Sequence, residues 1–307
     1  MSINIYSEER YNQTGENDYK LEGVYVLKKK LAFGASFLIV VGVLIYLGTG
    51  SKMTHTLSEQ NGKMPTEATV FIHGYGSSRN AEKSMAQSLV AKGYSNTKIN
   101  VTVAKNGTVT MNKTIGPGDK RPLILVQFDD NTNQNFMQSA GWLDTVMTKL
   151  SQQGIRSVNL VGHSMGNQAI AYYLMDKANK GTDLPKVKKQ ISLAGTYNGL
   201  ILADPQSNAA LNDQGEPQVK TKTFTNLQNL TTYYQNHATQ VLNIFGNSTG
   251  GSQSDQVVYN NSSQSLKYFV RQPSTYQEQL ITGPTGQHSQ LHENSVVDEA
   301  IYQFLTK

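Results

Sequence analysis

The sequence contains no cysteine. That absence excludes disulfide bonds, thiolate metal sites, a cysteine nucleophile and a lipidated N-terminal cysteine. Charge is also sparse, at 16% of the 307 residues, with 27 Lys+Arg against 22 Asp+Glu for a formal +5. The first thirty residues hold five acids (Glu8, Glu9, Glu16, Asp18, Glu22) and five bases (Arg10, Lys20, Lys28, Lys29, Lys30), so the excess lies beyond them. There it is spread thinly, without the Arg/Lys stripe of a nucleic-acid binder, and no nucleic-acid partner is expected. Internal repeats are missing, as are H-E-x-x-H, Walker A and complete G-x-G-x-x-G patterns. The stretch "DDNTNQNF" spaces Asp129, Asn131 and Asn133 like a calcium loop, but Gln134 and Ala140 stand where that loop needs Gly and Glu. Neither a metal nor a cofactor is expected.

What is present begins with one long apolar run. "LAFGASFLIVVGVLIYLG", Leu31 to Gly48, carries no charge. As a helix it would extend about 27 Å at roughly 1.5 Å per residue, close to the hydrocarbon thickness of a bilayer. Lys28, Lys29 and Lys30 precede it, whereas Lys52 alone follows closely. The positive-inside bias then leaves the N-terminus in the cytoplasm and the rest outside. A cleaved signal peptide, with secretion, is the competing reading, since Gly48 and Gly50 imitate a cleavage site. The run is longer than such segments usually are and starts late. The expected layout is a disordered cytoplasmic tail (1–30), a signal anchor (31–48), a linker (49–65) and an extracellular domain (66–307). Abundant Asn, Gln, Ser and Thr suit an extracytoplasmic surface.

Within 66–307, buried-strand runs alternate with amphipathic stretches, the pattern of a mostly parallel α/β sheet covered on both faces. Strands are expected at 68–74, 122–128, 157–162, 188–195, 238–246 and 279–283. Helices are expected at 80–93 (Asn80 as cap), 141–154, 167–180 and 295–305. A hairpin is expected over 98–111 around Asn106-Gly107. Residues 200–236 read as a polar cap, without the broad apolar face of a lid that opens onto lipid.

"LVGHSMGN" sits where a strand gives way to a helix, the setting a G-x-S-x-G nucleophile elbow requires. Gly162 and Gly166 leave no Cβ where the turn crowds strand against helix, and Ser164 takes the apex. The bland alternative is a small turn residue. A serine nucleophile needs a base and the base an orienting acid, here in the chain order Ser, Asp, His. Of the downstream histidines, His237 precedes a strand, at the wrong edge of a parallel sheet. His288 and His292 lie between the last strand and last helix; His288 is favoured by its closeness to the strand end, and His292 is the alternative base. Asp255 is the one carboxylate in the loop "GNSTGGSQSDQVV", ahead of Asp204 and Asp213 in the polar segment. The main-chain N–H groups of Met165 and of Tyr75, in "FIHGYG", are the expected oxyanion donors. His73 is read as support for that loop, and His163 as pointing away from the site.

These stretches, with "VAKNGTVT", "PLILVQFDDN" and "GQHSQLHEN", resemble the α/β-hydrolase superfamily, specifically the Gram-positive cell-surface hydrolases grouped as DUF915. The resemblance covers about residues 66–307. It implies the α/β-hydrolase fold, Ser164 as nucleophile, Asp255 as acid, His288 as base, and Tyr75 with Met165 in the oxyanion hole. The chain departs from the group's S-D-G-x-V-P pattern, because Gln256 follows the aspartate and the proline is missing. The expected function is a membrane-anchored extracytoplasmic serine hydrolase, a carboxylesterase on small or polar acyl esters, including envelope-derived ones. An amidase or acyltransferase with the same residues is a variant of this reading. A non-catalytic surface-binding module on a hydrolase fold is the competing one.

Overall fold

The computed structural model describes residues 62–177, 183–249 and 253–307. The expected tail, the anchor at 31–48 and nearly all of the linker lie outside the described residues. Among those described, no helix is long and apolar enough to cross a membrane.

Eight strands form one sheet: β1 (Glu67–Ile72), β2 (Lys98–Val103), β3 (Val109–Met111), β4 (Leu123–Phe128), β5 (Ser157–His163), β6 (Lys186–Leu193), β7 (Gln240–Asn247) and β8 (Thr275–Thr282). Their order is β3-β2-β4-β1-β5-β6-β7-β8, parallel throughout except for the β2–β3 hairpin. The hairpin turns where expected, with Gly107 at φ 84. Composition follows position in the sheet. β5, near its centre, is buried at every residue, whereas β8, at the edge, buries only Ile281. That explains why apolar patterning finds only the end of β8. Its first half, "TYQE", is polar, and pairing with β7 from Gln240↔Thr275 to Asn247↔Thr282 makes it a strand.

The helices are α1 (Lys83–Ala91), α2 (Phe136–Gln152), α3 (Met165–Lys177), α4 (Lys222–Asn226), α5 (Leu230–Asn236), α6 (Asn260–Gln264), α7 (Leu266–Phe269) and α8 (Ser295–Thr306). Two boundaries differ from expectation. α1 starts after Asn80, with Glu82 at its N-cap position and no side-chain cap. α2 starts five residues before Gly141, because the Asn135 side chain accepts the Gln138 amide and caps it there.

The core lies in two layers, one on each face of the sheet. One holds Val70, Ile72, Leu143, Leu160 and Ile170. The other holds Phe71, Leu89, Val161, Ile301 and Phe304. The segment 200–236 does not form a polar cap along its whole length. α4, α5 and the turn between them bury Phe224, Leu227, Leu230, Tyr233 and Tyr234 completely in the first layer. Their apolar residues recur at helical spacing inside a polar composition, so the average hides the buried stripe.

Candidate active site

Every element of the site comes from the carboxyl edge of the parallel strands, where loops converge and ligands bind in this architecture. Ser164 follows β5 directly, at φ 52, a left-handed conformation that a serine rarely adopts. Two glycines make this turn possible through space alone. A Cβ on Gly166 would stand 2.3 Å from the Ile72 carbonyl oxygen, and one on Gly162 would stand 2.6 Å from Asn167 Oδ1. The strand therefore meets α3 at contact distance, and the serine is lifted at the apex.

The His288 ring reaches this serine, with Nε2 2.9 Å from Ser164 Oγ. Its Nδ1 lies 2.7 Å from Asp255 Oδ2. With the proton on Nδ1, the ring donates to the carboxylate and presents Nε2 as acceptor for the serine hydroxyl. Asp255 is 1% exposed. Its Oδ1 accepts the amides of Val257 (2.9 Å) and Val258 (2.7 Å), so both oxygens are engaged. Its carbonyl accepts the His288 amide at 3.0 Å, tying the loop after β7 to the loop after β8. Gln256, where the S-D-G-x-V-P pattern has glycine, sits at φ 80. The turn thus keeps a glycine's conformation with a side chain in it, at a cost of order 1 kcal/mol.

His292 does not reach the serine. Its Nδ1 faces Glu293 Oε1 at 3.3 Å, and its ring stands edge-on to His163 at 4.8 Å. His237 stacks on Tyr233 at 4.2 Å, at the amino end of β7.

His163 turns from the serine as expected, but it is no bystander. As the last residue of β5 it shares a sheet face with Val161, two residues earlier, and that face is the one covered by α1 and α8. There its Nε2 contacts the His288 carbonyl oxygen at 3.1 Å, and the two rings lie 4.9 Å apart. Burial holds the His163 imidazole well below its ordinary pKa, with His288 and His292 adding to the effect. A neutral ring with its proton on Nε2 donates to that carbonyl and steadies the base from behind. Strand alternation was the available signal for this contact; what lay opposite could be known only from the fold.

Tyr75 follows β1, the strand paired with β5 through Ile72↔Gly162. Neither the Tyr75 nor the Met165 amide has an acceptor among the described residues. The loop of Tyr75 passes close to the elbow, where a Cβ on Gly74 would stand 3.2 Å from Ser164 Cβ. The loop carrying Tyr75 is clamped from two sides. His73 Nδ1 donates to the Gly74 carbonyl at 2.8 Å while its Nε2 accepts the Phe128 amide at 3.1 Å, and burial keeps this ring neutral too. Asn131 accepts the Gly76 amide on its carbonyl at 2.8 Å and donates Nδ2 to the Ser77 carbonyl, also at 2.8 Å. The calcium-like stretch therefore braces this loop. No group of three or more His, Asp or Glu that could hold a metal occurs among the described residues.

The arrangement pairs a hydroxyl with a base, the base with a buried carboxylate, and the whole with free amides across the apex. Chemically, it can take the proton from a hydroxyl as that oxygen attacks a carbonyl, and receive the resulting oxyanion.

Comparison with known proteins agrees with this architecture. The product of gene lin2722 from Listeria innocua is 25% identical, with a TM-score of 0.70, covering 79% of this chain and 95% of that one. A Lactobacillus plantarum WCFS1 protein, provisionally described as a cell surface hydrolase, is 20% identical, with a TM-score of 0.60 over 79% and 91%. None of the curated proteins matches this sequence. The model of one family, described as alpha/beta hydrolase of unknown function (DUF915), matches residues 56–307. The chain therefore belongs to the DUF915 family of α/β hydrolases.

Proposed function

We propose that this protein is a serine carboxylesterase acting outside the cell, anchored in the membrane by residues 31–48, on small or polar acyl esters. The observation that carries the reading is the continuous relay from Asp255 Oδ2 through His288 to Ser164 Oγ, at 2.7 and 2.9 Å, ending on a serine at φ 52. Ser164 attacks the ester carbonyl as His288 takes its proton. The oxyanion is held by the amides of Tyr75 and Met165, and the imidazolium by Asp255. His288 then protonates the departing alcohol, and water, deprotonated by the same ring, releases the acid from the acyl-enzyme. Asp204 and Asp213 have no part in this scheme. The intact relay weighs against a purely binding module, which has no need of it.

A fluorophosphonate probe tests the reading. Folded protein should be labelled at Ser164 and the Ser164→Ala variant should not; unlabelled wild type would refute the proposal. His288→Ala should abolish turnover of phenyl acetate, whereas His292→Ala should retain most of it. The opposite pattern would move the base to His292. Fractionation of cells producing the full chain addresses the anchor: recovery in the soluble medium would favour cleavage.

A further inference from the structure

A cavity opens along α3, the helix that leaves the elbow. It measures 260 Å³ and is bounded by the loop after β4, the start of α2, the first part of α3, and α4. By volume it matches roughly nine liquid waters, room for one hexose ring. Its relation to Ser164 follows from α3. Met165, Gln168 and Tyr172 are spaced i, i+3, i+7 and share one helix face. Gln168 and Tyr172 lie four and eight residues beyond the serine, about 6 and 12 Å along the axis.

The lining is distinctive. Four amide side chains (Gln134, Asn135, Gln168, Asn226) meet two aromatic rings, Phe136 and Tyr172, whose centroids are 5.7 Å apart, with Met137 and Thr223 completing the lining. No charged side chain takes part. Other clefts among the described residues differ, with Arg156, Asp183 and Lys186 in one and Lys113 with Asp119 in another. Gln168, only 2% exposed, is fixed as the floor by donating Nε2 to the Thr196 carbonyl at 2.9 Å.

Asn135 Oδ1 is taken by the α2 cap and Gln168 Nε2 by Thr196. That leaves Asn135 Nδ2 as donor, Gln168 Oε1 as acceptor, and the amides of Gln134 and Asn226 as both, a mixed set that suits hydroxyl groups that give and accept. A half-buried aromatic ring offers an apolar face. A carboxylate, phosphate or ammonium ligand would find no counter-charge here, and a long acyl chain would strand the amides. We infer that this cavity is a subsite for an uncharged saccharide, so that the substrate is an O-acylated glycan. This assignment rests on the esterase reading above for its chemistry, but not for its binding. The sugar ring occupies the cavity while its acyl group reaches Ser164. The ester C–O bond breaks, the sugar hydroxyl leaves with the proton carried by His288, and water takes the acyl group from the serine.

Binding and turnover are tested separately. The Ser164→Ala protein is titrated with N,N′,N″-triacetylchitotriose by calorimetry or NMR, alone and with Thr223→Trp, which puts a bulky side chain at a residue lining the cavity. Binding weakened at least tenfold by the tryptophan is expected. In the active protein, kcat/KM is compared for the O-acetylated trisaccharide and phenyl acetate. The ratio should fall about tenfold in Tyr172→Ala and in Thr223→Trp. Undetectable trisaccharide binding, binding indifferent to Thr223→Trp, equal binding of triglycine, or an unchanged ratio would each overturn the subsite. Intact trisaccharide binding without fluorophosphonate labelling would instead remove the esterase reading and keep the saccharide site.

Discussion

The elbow after β5 and the acid–base end after β7 and β8 hold their side chains by different means. At the elbow the constraint is steric. The backbone of β1 stands where a Cβ of residue 166 would be, and Ser164 is forced to φ 52. At the other end the constraint is a set of hydrogen bonds. The Asp255 carboxylate accepts two amides and a ring N–H, its carbonyl accepts the His288 amide, and His163 backs the His288 carbonyl. A steric lock admits no added atom. A hydrogen-bonded turn accepts some conformational cost if its bonds are kept, and that is how Gln256 stands at φ 80 where a glycine would serve.

The comparison is sharpened most by Gly166→Ala. The new methyl must displace the Ile72 or His73 carbonyl, which in turn carries the loop of Tyr75. A loss of about 3 kcal/mol in urea unfolding is expected, at the upper end of ordinary overpacking, with slower fluorophosphonate labelling of whatever remains folded. A loss below 1 kcal/mol would mean that the elbow yields and the steric account fails.

The next largest effect belongs to the acid–base side, where α1 packs against the turn 290–293. Glu82, 1% exposed at the start of α1, has no hydrogen-bonding partner for its carboxylate beyond its own backbone. Burial, reinforced by Glu293, pushes its pKa up from 4.5 to about 8. The folded chain therefore keeps this proton at pH values where the unfolded chain has lost it, and stability falls as pH rises from 4.5 to about 8. At pH 7 the penalty is about 3 kcal/mol at 1.36 kcal/mol per pH unit. Glu82→Gln should be more stable than wild type by that order at pH 7 and equal to it near pH 4. Parallel unfolding curves at both pH values check this, and an equal difference at both would remove the buried proton from the account.

The smallest effect is expected of Gln256→Gly. Relief of the left-handed strain is partly offset by the greater freedom of glycine in the unfolded chain, leaving a gain of about 1 kcal/mol or less. Ester turnover should stay within twofold, because the bonds to Asp255 involve other residues. A large change in turnover would show that this turn, too, is sterically set.

Much of this was legible in the sequence. Apolar runs marked the buried strands, the glycines around Ser164 marked the elbow, and chain order pointed to Asp255 and to the histidines after the last strand. Each is a local signal, expressed within a few residues. The polar first half of β8 and the core stripe of α4 and α5 were not legible, because their partners are distant and their composition is mixed. The two candidate bases, four residues apart, could not be separated by pattern, since either could follow the same strand.

The sequence by itself determined the α/β order of elements, the strand-to-helix turn that lifts a serine, and the lack of any thiol chemistry. Local backbone preference and hydrophobic period are enough for that. The tertiary structure decided which histidine meets Ser164, what His163 supports, and that an uncharged amide-and-aromatic cavity lies along α3. Those outcomes depend on how loops from strands at different places in the sheet come together, and no local preference encodes that meeting.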